Sequence, residues 1–370
     1  MRAQRPVDLL LATGGTGGHI YPALAVARAA QQRGLAVAFL GQQSGMEARL
    51  VPEAGFPFIG VAAGKWDRQR PDPRQALRAA TGPWQALWAV RAMRPGLVVG
   101  FGGFASFPGC VAAVLTGTPL ALHEGNAFPS RVNRWFAARA RLVVVAQAEA
   151  GHHLRARALE VAPFPVREVR ADRAEARRAL GLPQDATVTL VMGGSQGSVA
   201  LNDAVPEAFR RLRRPGLHVL HSSGRDWSDR LRQRVADLPE YHVHPYLDAA
   251  GAFAAADLAI TRAGIGTLSE AAFHGVPLVM VPLPTSAEDH QRHNAEAVET
   301  AGAGITVLQS ELAALDDAWL QLLDPERRAA AARAASQRSP LGAAERILEL
   351  LLPHLRNRTA GTAASRVPVL

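Results

Sequence analysis

The sequence predicts an α/β protein of two domains, each built on a parallel sheet, and three observations carry that expectation. The chain has 370 residues, more than one hydrophobic core usually holds. Short apolar runs alternate along it with helical patterns, as in a parallel sheet covered on both faces. The pattern then restarts after a Pro-Phe-Pro break at 163–165.

Taken in order, residues 7–12 (Val-Asp-Leu-Leu-Leu-Ala) read as a buried strand. A glycine-rich loop follows and opens a helix-patterned segment, 22–33. Strand signals recur at 36–40, 97–99, 120–122 and 142–145, and the run at 97–99 leads into a second glycine loop, Gly100-Phe101-Gly102-Gly103. Beyond the break the strand at 187–192 again ends in glycines, before a helix from Leu201, and further strands are expected at 218–221, 258–261 and 277–282. The first domain is therefore expected to span 1–163 with a C-terminal helix at about 342–357, and the second 164–341. Residues 358–370, small and polar, are expected to be a disordered tail. Ligands of open α/β folds bind beyond the strand carboxyl ends, so two such sheets facing each other place the expected active site in the cleft between them.

Composition narrows the setting. The single cysteine, Cys110, excludes an internal disulfide framework and fits a reducing compartment such as the cytoplasm. The first residues run directly into a strand, without the apolar run and cleavage site of a leader. No stretch reaches the roughly 20 apolar residues of a membrane span, so a soluble or peripheral protein is expected. The net charge of +9 calls for an anionic partner. Much of the excess is arginine in stretches such as 170–178 and 327–338, which solvated helix faces would also explain. Neither zinc-finger spacing nor an RNA-stacking signature is present, so nucleic acid is not expected.

The first glycine loop, Gly14-Gly15-Thr16-Gly17-Gly18-His19, lacks the Lys-Ser/Thr ending of a P-loop and the spacing of the dinucleotide fingerprint. The second strand ends at Gly41-Gln42-Gln43, with no acidic residue for the ribose of a nicotinamide cofactor. Glycines here let backbone approach a ligand or a partner loop closely, and Thr16 offers both amide and hydroxyl. The loop Gly193-Gly194-Ser195-Gln196-Gly197, ahead of a helix, is the candidate pyrophosphate cradle through its amides and the Ser195 hydroxyl.

Five motifs in register, residues 12–22, Gly102-Gly103-Phe104, His123-Glu124-Gly125-Asn126, 193–197 and 261–294, resemble those of the lipid I N-acetylglucosaminyltransferases. The resemblance covers nearly the whole chain. It implies a GT-B fold, two Rossmann-like domains across a cleft, and transfer of N-acetylglucosamine from its UDP donor to the muramyl C4 hydroxyl of lipid I, making lipid II for peptidoglycan. The transfer would invert the anomeric carbon without a bound metal or other cofactor, on the cytoplasmic side of the membrane. Anionic phospholipid and other cell-wall and division proteins are the further partners it brings.

Residue roles follow from the same likeness. Glu270 would hold the ribose hydroxyls, accepting two hydrogen bonds, although helix-dipole placement of a first-turn glutamate is the plainer alternative. Backbone groups of Ile265, Gly266, Thr267, Leu268 and Ser269 would line the uracil and phosphates, with Leu247 beside the uracil ring. Gln291 would bond the transferred sugar, its amide offering donors and an acceptor, with His290 a secondary contact, whereas Asn294 reads as a local cap. Arg167 would approach the diphosphate, although Phe164-Pro165 stands where the family has Asn-Pro. Thr16, Gly17, Gly18 and Asn126 are the remaining candidate contacts. The attack needs a general base, for which His19 and Glu124 both qualify, His123 being placed to orient the latter.

Residues 74–94 mix Leu77, Trp84, Leu87, Trp88, Val90 and Met93 with Arg78, Arg91 and Arg94, which suits an anionic lipid surface or an amphipathic helix packed on the sheet. Two other functions fit part of the pattern: a hydrolysing UDP-N-acetylglucosamine 2-epimerase, and a nucleotide-sugar-binding protein without activity.

Overall fold

The computed structural model describes residues 7–64, 73–194 and 196–356, those at 73–79 as helix backbone only. Two units separate along the chain, Met1–Pro165 with Gly342–Leu370, and Val166–Leu341.

The first unit carries seven parallel strands, β1 (Leu9–Ala12), β2 (Val37–Gln42), β3 (Phe58–Val61), β4 (Leu97–Gly100), β5 (Leu120–Glu124), β6 (Leu142–Val145) and β7 (Leu159–Val161), in the order β3-β2-β1-β4-β5-β6-β7. Between them run the helices α1 (Gly17–Gln32), α2 (Glu47–Glu53), α3 (Pro73–Met93), α4 (Phe107–Thr116) and α5 (Arg131–Phe136). All four residues of β1 are fully buried, which is why the run is apolar without alternation. Side chains alternate across a strand, so Leu9 and Leu11 join Ile20, Ala23 and Ala27 of α1 in one core, while Leu10 and Ala12 join Leu87, Val90 and Cys110 in the other.

The second unit repeats the plan with six parallel strands, β8 (Thr187–Met192), β9 (Leu217–Ser222), β10 (Tyr241–His244), β11 (Leu258–Thr261), β12 (Leu278–Met280) and β13 (Gly304–Thr306), in the order β10-β9-β8-β11-β12-β13. Its helices are α6 (Arg173–Ala179), α7 (Val199–Leu212), α8 (Ser228–Arg234), α9 (Ala249–Ala255), α10 (Ile265–His274), α11 (His290–Thr300), α12 (Leu315–Leu323) and α13 (Pro325–Ser336). The last helix, α14 (Ala343–Leu351), belongs to the first unit: Ile347, Leu348 and Leu351 enter its core, and Arg33, at the carboxyl-terminal cap of α1, binds Glu345 at 2.9 Å through Nε.

Two features differ from the sequence expectations. The helix expected from Pro22 begins at Gly17, because Thr16 closes its first turn by accepting from His19 and Ile20 N–H. Pro22 then forfeits a single bond near the open end of the helix. Strands β3, β7, β10 and β13 were not expected, and each lies at a sheet edge. Among the described residues no helix is long and apolar enough to cross a membrane.

Candidate active site

In each unit the strand order reverses once, between β1 and β4 and between β8 and β11. Such a reversal leaves a crevice beyond the strand carboxyl ends. The glycine loops after β1 and β4 share the first crevice, and the segments after β8 and β11 share the second.

In the first crevice Gly14 and Gly15 take φ of +145° and +87°, values a side chain disfavours. The two loops touch: a β-carbon at Gly103 would lie 3.1 Å from the Gly14 carbonyl oxygen and 3.2 Å from His19 Nδ1. Half-buried His19 stands in the first turn of α1, not at a loop tip. Its Nδ1 pairs with Thr16 Oγ1 at 3.0 Å, and its carbonyl accepts from Thr13 Oγ1 at 2.7 Å. Gly17 and Gly18 precede it in the same turn, and Thr16 is exposed.

Glu124, at the carboxyl end of β5, is buried with both oxygens occupied. Oε1 accepts from Asn126 N and Nδ2, both at 3.0 Å, and Oε2 from Ser130 N at 2.8 Å and Asn133 Nδ2 at 2.9 Å. Burial raises its pKa and these four donors oppose the rise. Gly102 lies between the two candidate bases: a β-carbon there would be 3.3 Å from His19 Cδ2 and 3.4 Å from Asn133 Nδ2. His123 does not orient Glu124. Neighbours on a strand point to opposite faces, and the His123 ring packs against Phe101 and Phe164 at centroid distances of 5.1 and 5.9 Å. Burial, with a smaller contribution from His19, lowers its pKa to about 3.

In the second crevice α10 starts directly after Gly264. Ile265, Leu268 and Ser269 turn inward and are buried, whereas Gly266, Thr267 and Glu270 stay accessible. Gly266 and Glu270 are four apart, hence on one helix face. A β-carbon at Gly264 or Gly266 would meet nothing within 4 Å, so neither internal packing nor a positive φ calls for glycine at these positions. Glu270 sits in the second turn of the helix, beyond the reach of first-turn dipole placement. Burial raises its pKa, opposed by the charge of Arg167.

Gln291 and Asn294, one turn apart on α11, grip the residue before this turn. Gln291 Oε1 accepts from Ala263 N at 3.1 Å and Leu283 N at 3.0 Å, and buried Asn294 donates from Nδ2 to the Ala263 carbonyl at 3.1 Å. The Gln291 oxygen is thereby committed and its amide presents N–H donors alone, which corrects the expectation of a donor-and-acceptor contact. Glu288 and Asp289, both at positive φ, shape the approach to α11, and His290 Nδ1 pairs with the Ala287 carbonyl at 2.7 Å.

Arg167 reaches both oxygens of Asp248 at 2.7 Å, with Glu270 in electrostatic range. Leu247 is 7% exposed and lies in the core with Leu220 and Phe253, so its side chain packs internally, which corrects the expectation that it lies beside the uracil ring. Ser195 lies outside the described residues. Around it Gly197 and Gly224 interlock, since a β-carbon on either would strike the other's loop at Ser223 O or Gln196 O.

Residues 9–145 match the glycosyltransferase family 28 N-terminal domain, and 188–347 match the family 28 C-terminal domain. The UDP-N-acetylglucosamine–N-acetylmuramyl-(pentapeptide) pyrophosphoryl-undecaprenol N-acetylglucosamine transferase of Deinococcus deserti is 47% identical, covering 94% of this chain and 98% of the relative. The chain belongs to glycosyltransferase family 28. The enzyme of the same name from Thermus thermophilus is 41% identical over 93% of this chain and 98% of its own. The crystal structure of MurG from Acinetobacter baumannii superposes with a TM-score of 0.79 at 30% identity, covering 94% of this chain and all of that one. The fold of this family 28 glycosyltransferase is thus GT-B, with two Rossmann-like parallel-sheet domains.

Sequence reading missed three residues of these family 28 crevices: Asn133, Asp248 as the partner of Arg167, and buried Glu47 beneath the first glycine loop. Asn133 alone had a local signal, a helix start after Ser130. The Arg167–Asp248 pair and the Gly15–Glu47 bond join residues 81 and 32 apart in the chain.

Proposed function

We propose that this glycosyltransferase moves N-acetylglucosamine from UDP-N-acetylglucosamine to the muramyl C4 hydroxyl of lipid I, inverting the anomeric carbon and forming lipid II. The observation that carries the donor half is the pair Gly264 and Gly266. Glycines that face open space at a helix start suit a ligand that closes on the backbone. Amides at the start of α10 meet the nucleotide, Glu270 accepts from the ribose hydroxyls, and Gln291 donates to the sugar. Arg167 leaves Asp248 for the diphosphate, where a guanidinium stabilises the charge that develops on departing UDP.

His19 is the general base in this reading. When Nδ1–H donates to Thr16 Oγ1, Nε2 keeps the lone pair that takes the acceptor proton. Glu124 has four donors on its two oxygens and serves instead to organise the segment carrying Asn126.

The acceptor is lipid-linked, and the first unit offers a surface for it. Trp84 and Trp88 on α3 are 66% and 72% exposed, while Leu87, Val90 and Met93 of the same helix are buried. The helix therefore packs on the sheet and shows a second apolar face. The side chains of Leu77 and Arg78 lie outside the described residues. Trp135 on α5 is exposed and packs edge-on to Phe107 of α4, 6.1 Å between centroids. With exposed Arg91 and Arg94 alongside, this face suits an anionic bilayer surface.

The test is transfer of radiolabelled N-acetylglucosamine to lipid I or a short-chain analogue, with and without EDTA. Labelled lipid formed equally in both supports the reading. UDP release with an altered sugar and no lipid product would instead indicate an epimerase.

A further inference from the structure

We infer that Glu47 is a positioning residue for the transfer, holding the first glycine loop, and with it Thr16 and His19, in working geometry. The inference rests on the assignment of His19 as the base.

Glu47 opens α2 and is fully buried. Among the described residues its hydrogen-bond partners are two backbone N–H groups: Gln42 donates to Oε1 at 2.9 Å and Gly15 to Oε2 at 3.3 Å. Burying a carboxyl group on two amide bonds is expensive compared with an apolar side chain of similar size. Its surroundings nonetheless fit it closely. The side chain lies in a cage of three glycines from three segments, Gly14 after β1, Gly41 in β2 and Gly45 before α2. A β-carbon on Gly14 or Gly45 would strike the carboxylate, and one on Gly41 would lie 2.8 Å from Glu47 Cγ.

Gly14 and Gly15 are also the residues on which the second glycine loop rests. A β-carbon at Gly15 would lie 3.0 Å from the Phe104 ring, and one at Gly103 would meet both the Gly14 carbonyl oxygen and His19 Nδ1. The Gly15 N–H gripped by Glu47 immediately precedes Thr16, whose hydroxyl pairs with His19 Nδ1. A continuous chain of contacts thus runs from the Glu47 carboxyl through Gly14 and Gly15 to the catalytic pair. Small displacements of a base from its acceptor are costly in rate, and glycines restrict their own backbone least, so a buried carboxyl bonded to the Gly15 N–H supplies a constraint that the loop's side chains cannot.

The test is Glu47→Gln in the full chain, alone and combined with His19→Ala, assayed by labelled transfer well below the melting temperature. In Glu47→Gln an NH2 replaces one acceptor oxygen, so one of the two grips is lost. The expected result is a fall in kcat of at least tenfold, with the KM for UDP-N-acetylglucosamine within twofold of the parent. Adding Glu47→Gln to His19→Ala should then lower the rate no further, because both act through the same base. Should Glu47→Gln fail to fold, Gly45→Ala, which pushes on the same carboxyl, is expected to give the same kcat-specific loss. An unchanged kcat in the folded variant, or losses that multiply in the double variant, would overturn the proposal. A His19→Ala enzyme with parental kcat would instead sink the base assignment, and Glu47 would be judged by the kcat of its own variant.

Discussion

Gln291 accepts the backbone N–H of Ala263 at 3.1 Å, so the side chain expected to read the sugar also fixes the strand end from which the donor-binding turn begins. Its second acceptor bond, from Leu283 N, leaves only the NH2 for a ligand. Gln291→Glu keeps both anchoring bonds and removes the donors. Its melting temperature should therefore stay near that of the parent while kcat/KM for UDP-N-acetylglucosamine falls on the order of tenfold. Gln291→Ala loses the anchors as well and should both melt earlier and bind the donor more weakly. Steady-state kinetics and thermal melts of the two variants check this.

Glycine substitutions should divide by what lies above each α-carbon. Gly266→Ala adds a methyl group into open space, so the fold should tolerate it while the KM for the donor rises several-fold. Gly197→Ala combines φ of +77° with a collision at Ser223 O and should cost at least about 1 kcal/mol of stability before any ligand is added. Denaturant titration and donor KM separate the two behaviours.

The two base candidates should fail differently. His19→Ala should lower kcat by about 10²–10⁴-fold, the range for lost general-base catalysis, with little change in melting. Glu124→Gln turns an NH2 toward N–H donors and should chiefly destabilise, by roughly 1–3 kcal/mol for each donor left unpaired. An unchanged melting temperature with a large kcat loss in Glu124→Gln would reverse the ranking.

Buried His123 has its folded pKa lowered to about 3, against about 6.5 when unfolded. Between these values the unfolded chain binds the extra proton. Stability from this group is thus complete above about pH 6.5 and is lost as pH falls toward its folded pKa, by about 2 kcal/mol between pH 7 and 5. Urea denaturation of His123→Phe, whose ring suits the space between Phe101 and Phe164, should show a pH 7-to-5 loss smaller by that amount.

Replacing Trp84 and Trp88 together by alanine should release the protein from anionic vesicles, because both rings are exposed and neither supports the core. Turnover on a short-chain soluble acceptor should be unaffected. Vesicle sedimentation alongside both assays would expose a general loss of activity, which would count against a lipid-facing role.

Every strand expected from the sequence sits inside a sheet, and the four without such an expectation are the edges. Strand β7 is exposed along its whole length and β13 is half-buried throughout, so neither needs the apolar run that marks β1 or β8. Edge strands are commonly kept short and polar, which erases the local signal. The same limit applied at the candidate site. Glycine loops, His19, Glu270 and Gln291 were legible because backbone freedom and side-chain chemistry are written residue by residue. The four donors on Glu124, the inward turn of Leu247 and the pairing of Arg167 with Asp248 were not.

The sequence by itself determined the two parallel sheets, the position of the glycine loops after their strands, and the family whose motifs it carries. These follow from hydrophobic period, strand length and φ preference, which act over a few neighbouring residues. Only the tertiary structure decided which polar atoms were already occupied. It set Gln291 as a donor alone, filled both oxygens of Glu124, and placed Glu47 beneath a loop 32 residues away in the chain. Hydrogen bonding is settled by distance in space, within about 3 Å, and no local pattern reports which distant segment will come that close.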